Sequence, residues 1–312
     1  MQTILGANGQ IGEELARELK RKYTSDIRIV SRHAKKVNDS DITFSADLTI
    51  KEKAIEAVKG SEIVYFTLGL PMNTDLWEKQ FPVITSNTIE ACKINGAKLA
   101  FFDNTYMYPQ DARVLTEQTP FAPVGRRGKV RKEMAEMLLN EIQAGKMEIV
   151  ICRAPEFYGP GKTQSITNSL IFNMIKEHKK LKVPLRDDKL RSLIWTPDAS
   201  RATALIGNTP DAYNQTWHLP VDNNRLTYKQ FIELASVVYG RELKYSVIPK
   251  FIFKIGSIFN SRVKELQELL PRYEYDNIFD DSKFINRFPD FQVTTYQKGI
   301  EQIAFEQQNA KP

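Results

Sequence analysis

The stretch TILGANGQIG, residues 3–12, decides how this chain is read. Thr3, Ile4 and Leu5 make a short apolar strand that runs into Gly6, Gly9 and Gly12. Glu13 to Lys22 follows with Leu15 and Leu19 one turn apart and Ala16 beside them, the spacing of an amphipathic helix. Glycines at a strand-to-helix junction permit a tight turn, close approach of backbone to a pyrophosphate, and close packing of helix on strand. The helix start adds backbone N–H groups and a positive dipole end. The spacing therefore predicts a dinucleotide site whose phosphate loop is Gly6, Asn8, Gly9, Gln10, Ile11 and Gly12.

Working outward, the pattern alternates. IRIVSR (27–32) and ITFSADL (42–48) read as strands, KEKAIEAVKG (51–60) as a helix and SEIVYFTLGL (61–70) as a strand. Phe81 to Asn95 is helical, KLAFFDNTYMYP (98–109) is strand plus loop, Lys129 to Ala144 is helical, and MEIVICRAPEFYGPG (147–161) holds a sixth strand. Continuous apolar strands alternating with helices predict an α/β fold of the Rossmann type, a doubly wound parallel sheet covered on both faces, with a smaller C-terminal substrate lobe. The expected boundaries are a nucleotide-binding domain over 1–160 and a mixed lobe over 161–312 that partly returns to it.

The end of the second strand selects the dinucleotide. A carboxylate there would bind the ribose 2′-OH of NAD. Ser31 and Arg32 stand there instead, followed by Lys35 and Lys36, and a guanidinium fork suits a 2′-phosphate. NADP(H) is expected, with NAD(H) the second choice. Asp47 either contacts the adenine amino group or caps a helix beginning near Thr49. Leu48, Thr67, Leu68 and Pro155, at later strand ends, complete the expected cofactor set.

These residues resemble the extended short-chain dehydrogenase/reductase superfamily, in its NAD(P)-dependent sugar epimerase/dehydratase branch. CRAPEFYGPG (152–161) resembles that branch's Arg-x-x-x-x-Tyr-Gly-Pro segment. RSLIWTPDASRA (191–202) resembles the segment where the chain returns from the substrate lobe, and DDSKFINRFPDFQVTTYQKGIEQI (280–303) resembles the branch's C-terminal end. The resemblance implies a reaction in which a Tyr, helped by a Lys four residues on, moves a substrate proton while a Ser or Thr at the fifth strand holds the same oxygen. Lys132, Ala135 and Glu136 match the family's Lys-x-x-Ala-Glu, which puts Gly128 in the Tyr position. DNTYMYP (103–109) resembles Ser-Ser-x-x-Val-Tyr-Gly, which puts Asn104 at the Ser/Thr position with Thr105 beside it. The chain thus resembles an atypical member without the usual acid.

Three readings stay open: another side chain supplies the proton, hydride transfer proceeds without a Tyr, or the protein binds NADP(H) without turnover. The catalytic candidates are Lys132, Asn104, Thr105, Tyr106 and Glu156, with Tyr158 on the neighbouring strand. Glu156 acts as a base, binds a substrate hydroxyl, or simply pairs with a nearby cation. By resemblance Lys132 meets the nicotinamide ribose. Lys129 shares its helix face, and Arg126 and Arg127 are expected to be solvated, the alternative being contact with an anionic substrate. Arg186, Arg191 and Trp195 are expected near a cleft mouth, with Arg191 implied by resemblance to face a diphosphate. PKFIFKIGSIFNSRVKELQELLPRY (249–273) reads as a helical lid or a dimer contact.

Composition narrows the classes. The 312 residues are 42% hydrophobic and 26% charged, ordinary for a soluble globular protein. No apolar run reaches the roughly 18 to 20 residues of a membrane span, and no secretory signal is read at the start, so a cytoplasmic location is expected. Cys92 and Cys152 are expected as buried free thiols, and His33, His178 and His218 give no metal spacing. The +6 net charge sits in runs such as HAKK and EHKK without interleaved aromatics, the pattern of solvated helix faces. The expected partner is a small-molecule substrate, with neither nucleic acid nor membrane, for a monomer or homodimer. The function expected is an oxidoreductase or epimerase/dehydratase-like enzyme using hydride exchange on a small or nucleotide-linked substrate; the alternative is a non-catalytic NADP(H)-binding regulator or redox sensor.

Overall fold

Strand β1 (Gln2–Leu5) is buried along its whole length because it lies inside a parallel sheet, paired on one side with β2 (Ile27–Ser31) and on the other with β4 (Ile63–Phe66). The structure, a computed structural model, describes residues 1–161, 163 and 165–309. With β3 (Ile42–Ser45), β5 (Lys98–Asp103), β6 (Ile149–Arg153) and β11 (Gln215–His218), these strands form a seven-stranded sheet in the order β11-β6-β5-β4-β1-β2-β3. The inner strands read IVYF and IVICR without alternation, as burial on both faces requires; the edge strand β3 reads ITFS and is largely exposed.

The helices of this first unit are α1 (Gln10–Lys22), α2 (Lys51–Val58), α3 (Thr74–Asn95), α4 (Gly125–Ala144) and α6 (Thr196–Gly207) from Ala199 on. The unit comprises Met1–Met107, Phe121–Ala154 and Ala199–Leu219. The expected α/β class with a parallel sheet is what the chain forms. Helix starts differ from the periodicity. α3 begins seven residues before Phe81, because the Asn73 side chain accepts the Leu76 N–H at 2.9 Å, and it runs on through Pro82. Burial of Trp77, Phe81 and Ile84 outweighs the proline's missing donor. α4 likewise starts at Gly125, four residues before Lys129.

The second unit comprises Tyr108–Pro120, Pro155–Asp198 and the residues from Pro220 onward. Its strands are short pairs: β7 (Glu156–Tyr158) with β10 (Leu193–Trp195), β9 (Leu190–Arg191) with β12 (Leu226–Thr227), and β8 (Leu181–Pro184) with β13 (Tyr245–Ile248). Its helices are α5 (Asn173–Lys176), α7 (Tyr228–Val238), α8 (Lys250–Phe259), α9 (Ser261–Leu266), α10 (Ser282–Arg287) and α11 (Tyr296–Asn309). α7 opens with a reciprocal cap between Thr227 and Gln230. Tyr158, Phe172, Trp195, Phe231 and Tyr296 fill the core of this unit. Among the described residues no helix is long and apolar enough to cross a membrane, and no cluster of three or more His, Cys, Asp or Glu could hold a metal. Cys92 and Cys152 are buried and unpaired to each other.

Candidate functional site

The three glycines of the first loop have distinct geometric reasons. Gly6 has φ +85°, and a Cβ on it would lie 2.5 Å from the Leu68 Cα. A Cβ on Gly12 would lie 2.6 Å from the Ala7 Cα and 2.9 Å from the Thr67 Oγ1, so α1 packs directly on strand ends. A Cβ on Gly9 would meet only the Gly6 carbonyl oxygen, at 3.3 Å. Gly9 is also the N-cap of α1, and no side chain caps that helix. Bare backbone at an uncapped helix N-terminus is what a phosphate requires, so the loop fits a dinucleotide. The Thr67 hydroxyl donates to the Leu5 carbonyl at 3.1 Å and Leu68 backs Gly6, so both shape the loop from behind. Ser200 steadies the first turn of α1 by donating to the Ile11 carbonyl at 3.0 Å, a support with no recognisable motif.

Asn8 ties this loop to the segment beyond β2. Its Oδ1 accepts from the Ser31 hydroxyl at 2.7 Å and the Lys35 N–H at 3.2 Å, and its Nδ2 donates to the Lys35 carbonyl at 3.0 Å. Beside this clasp lies a cleft of about 480 Å³ lined by Asn8, Glu13, Arg17, His33, Lys35, Lys36 and Val37. Lys35 and Lys36 were expected there; Arg17 and His33 carry no signal until the fold brings α1 beside the loop. Arg17 pairs with Glu13 and Glu14 on its own helix. Arg32 is exposed and makes no ion pair among the described residues. Asp47 is not the N-cap of α2, which corrects the capping expectation for it. Its Oδ1 accepts from the Thr49 hydroxyl at 2.7 Å and the Thr49 N–H at 2.9 Å, closing a turn, while the N-cap of α2 is Ile50. Those bonds, with the Arg32 charge as a smaller contribution, hold the Asp47 carboxyl below its ordinary value. Leu48 is buried next to it in sequence.

Gly128, which the resemblance puts in the Tyr position, has no room for a side chain. A Cβ on Gly128 would lie 2.8 Å from the Tyr106 carbonyl oxygen and 2.9 Å from the Pro123 Cβ. Asn104 builds the turn that brings Tyr106 there: its N–H donates to Asp103 Oδ1 at 2.8 Å and its own Oδ1 accepts the Tyr106 N–H at 3.0 Å. Thr105 is buried. The Tyr106 ring is partly exposed and lies 6.0 Å from the Trp77 ring, nearly parallel at 13°. Lys132 is partly exposed, with Nζ 3.5 Å from Glu136 one turn on, a surface pair of small energetic weight.

Arg127 corrects its expectation: it is fully buried, its guanidinium 5.6 Å from the Trp77 centroid and 6.0 Å from that of Tyr106. Flat aromatic faces accept a weakly hydrated guanidinium where an ammonium would resist burial. Arg131 lies 4.4 Å over Phe81, with Nη1 3.7 Å from Asp103, and Arg153 donates from Nε to the other Asp103 oxygen at 3.2 Å. Burial pulls the Arg131 pKa down, opposed by the Asp103 charge. Arg126 alone matches the solvated reading, exposed and paired with Glu78 and Asp75.

In the second unit Glu156 is enclosed. One oxygen accepts from the Tyr273 hydroxyl at 2.9 Å, the Thr167 hydroxyl at 3.0 Å and the Tyr228 hydroxyl at 3.1 Å; the other pairs with Arg191 Nη2 at 2.8 Å. Burial raises the carboxyl, and Arg191, Arg272 and Tyr273 outweigh it, leaving the pKa below the ordinary glutamate value. Of the readings for Glu156, the pairing one describes its contacts. Pro155 before it is buried. Arg191 and Trp195 are corrections, being 2% and 4% exposed and not at a cleft mouth. Arg191 also donates to the Arg272 carbonyl at 2.7 Å and stacks 4.4 Å over Tyr273, contacts that no sequence spacing signals. Trp195 packs 5.1 Å from Tyr158. The Tyr158 hydroxyl is buried among aromatics, and burial raises it far above its ordinary value, so the phenol stays protonated in a packed core. Arg186 is exposed and bound to Asp188.

A seven-stranded parallel sheet carrying Gly-x-x-Gly-x-x-Gly at its first strand-helix junction defines a Rossmann-type protein. Residues 3–219 match the model of the NAD dependent epimerase/dehydratase family, and the chain belongs to that family of enzymes. It is 30% identical over 142 residues to the uncharacterized protein y4nL of Sinorhizobium fredii (strain NBRC 101917 / NGR234), a match covering 45% of this chain and 39% of that longer relative. In fold it is similar to UDP-glucuronic acid 4-epimerase from Bacillus cereus in complex with UDP-glucuronic acid and NAD, with TM-score 0.81, 14% identity and 100% of both chains covered. It is also similar to dTDP-glucose 4,6-dehydratase from Bacillus anthracis str. Ames in complex with NAD, with TM-score 0.77, 15% identity, and 99% and 96% of the chains covered. UDP-glucose 4-epimerase from Thermus thermophilus in complex with NAD gives TM-score 0.76 at 14% identity, with full coverage of both. At these identities the likeness is one of fold.

Proposed function

We propose that this chain is an NADP(H)-dependent oxidoreductase or epimerase/dehydratase-like enzyme that works without the family's tyrosine. The observation that carries the reading is the open face at Gly9 beside a basic cleft. The uncapped start of α1 holds the pyrophosphate, and Arg32, with Lys35 and Lys36, meets the 2′-phosphate. A bound nicotinamide supplies a hydride donor or acceptor at C4. Lys132 is free to turn to the nicotinamide ribose at little cost, because its pair with Glu136 is a weak surface one. Tyr106, at the C-terminal end of β5 and partly exposed, is the hydroxyl best suited to a substrate oxygen. A small substrate is favoured over a nucleotide-linked one, because Arg191 is already held by Glu156, the Arg272 carbonyl and Tyr273.

The regulator or sensor reading is supported by the closed Gly128 position and by Asn104, whose amide oxygen serves a turn. Fluorescence titration of the full chain with NADPH and NADH tests the shared part. NADPH is expected to bind at least about tenfold more tightly, a preference that Arg32→Glu lowers; tighter NADH binding removes the Arg32 argument. The two readings separate on NADPH oxidation against a panel of small carbonyl compounds and nucleotide sugars. Turnover abolished by Tyr106→Phe with NADPH affinity retained supports the enzyme, and tight binding with no turnover on the panel supports the sensor.

A further inference from the structure

Helix α8 is apolar on the wrong side for a helix facing water. Phe253 is buried at 8% exposure, while Phe251 is 61%, Ile252 45%, Ile255 53%, Ile258 74% and Phe259 85% exposed. Their spacings, 251-255-258 and 252-255-259, are those of neighbours on one helical face. Scattered exposed hydrophobics are ordinary; five large ones in ten residues of helix form a patch that marks a contact surface.

The charges carried by α8 itself have one sign. α8 contains no carboxylate, and its charged residues are Lys250 and Lys254, one turn apart at the edge of the apolar face. Lys250 pairs with Glu274 at 2.6 Å, and Lys254 makes no ion pair among the described residues. The chain as a whole carries +6. Size argues against a second copy of the chain as the occupant. Ten helical residues span about 15 Å, and five such side chains at these exposures offer on the order of 600 Å², short of the ~800 Å² each partner contributes to a standard interface. A lipid surface asks for no matching shape, only a strip of apolar side chains with cations at its rim.

We infer that α8 is an interfacial element that rests on an anionic lipid surface, its Phe and Ile side chains among the upper acyl chains and Lys254 at the headgroups. The sequence expectation of no membrane partner rests on the length needed to span a bilayer, a criterion that a surface helix does not engage. The inference is independent of the proposed chemistry.

Flotation of the full chain with phosphatidylcholine vesicles, with and without phosphatidylserine, tests it. Binding to the mixed vesicles is expected, weaker by at least about tenfold without the anionic lipid. The double variant Ile258→Glu, Phe259→Glu alters two exposed side chains, so it keeps the wild-type melting temperature and loses flotation. Lys254→Glu weakens the dependence on phosphatidylserine. Failure of the wild-type chain to float with phosphatidylserine vesicles at low salt overturns the inference, as does unchanged flotation of the double variant. A dimer that sedimentation velocity detects, that the double variant dissolves and that ignores vesicles overturns it too, making the face a self-association surface.

Discussion

Gly9 and Gly128 each sit at the start of a helix on the first unit, and their missing side chains do opposite work. At Gly9 the absent Cβ leaves open backbone, with only the Gly6 oxygen within 3.3 Å. At Gly128 the absent Cβ makes room for the protein itself, the Tyr106 carbonyl and Pro123. The first glycine leaves its backbone open to a ligand, and the second is taken up by packing. A family motif is compatible with its ligand where geometry leaves space, and the same letters mean packing where the chain has filled that space. Glu156 is a second filled place, its carboxylate met from inside by Arg191 and three hydroxyls.

The largest effect is expected on the ligand side of this comparison. Gly6→Ala combines a positive φ with a Cβ 2.5 Å from backbone that cannot move, at a cost of about 4 kcal/mol. Gly9→Ala should change stability by less than about 1 kcal/mol while weakening NADPH binding by at least about tenfold. Urea unfolding midpoints together with nucleotide titrations check the pair. Equal destabilisation by both substitutions would make Gly9 a structural glycine and erase the contrast.

Next in size is Glu156→Gln, which leaves Arg191 buried without its counter-charge and should destabilise by about 3 kcal/mol at neutral pH. The folded pKa of Glu156 lies below its unfolded value. Its contribution is therefore complete above the unfolded value of about 4.3 and is lost as pH falls through the lowered folded value. The melting temperatures of wild type and variant should converge toward low pH. A gap that stays constant from about pH 7 to about pH 3 would mean that the hydroxyl bonds, not the charge, hold the cluster.

Much of the fold was legible because its strands are short apolar runs and its first glycines have fixed purposes. The catalytic region was legible only as a departure. Lys132-x-x-Ala-Glu gave the register in which Gly128 falls on the Tyr position, but nothing in the letters tells a glycine that opens a site from one that closes it. Arginines misled for a related reason. Arg127 and Arg191 read as surface or substrate cations because burial of a guanidinium depends on partners far away in sequence, Trp77 and Tyr106 for one, Glu156 and Tyr273 for the other. The first turns of α3 were missed because the burial of Trp77 that holds them is not visible in the letters.

A destabilisation smaller than those of Gly6→Ala and Glu156→Gln bears most directly on function. Gly128→Ala places a methyl carbon 2.8 Å from the Tyr106 carbonyl oxygen and 2.9 Å from Pro123, closer than such atoms sit without a shift. The strain should cost about 2 kcal/mol, read as a lowered urea midpoint. Gly128→Tyr meets the same obstacle at the same atom, so restoring the family residue should destabilise at least as much and confer no new proton donor. The comparison with Gly9 then has a sharp edge. If Gly128→Tyr were to fold as stably as the wild type and acquire NADPH-dependent turnover on a nucleotide sugar, the position would be an open site that had merely lost its side chain. If it is destabilised and Tyr106→Phe alone alters turnover, the chain has closed the family's acid position with the backbone of the residue that replaces it.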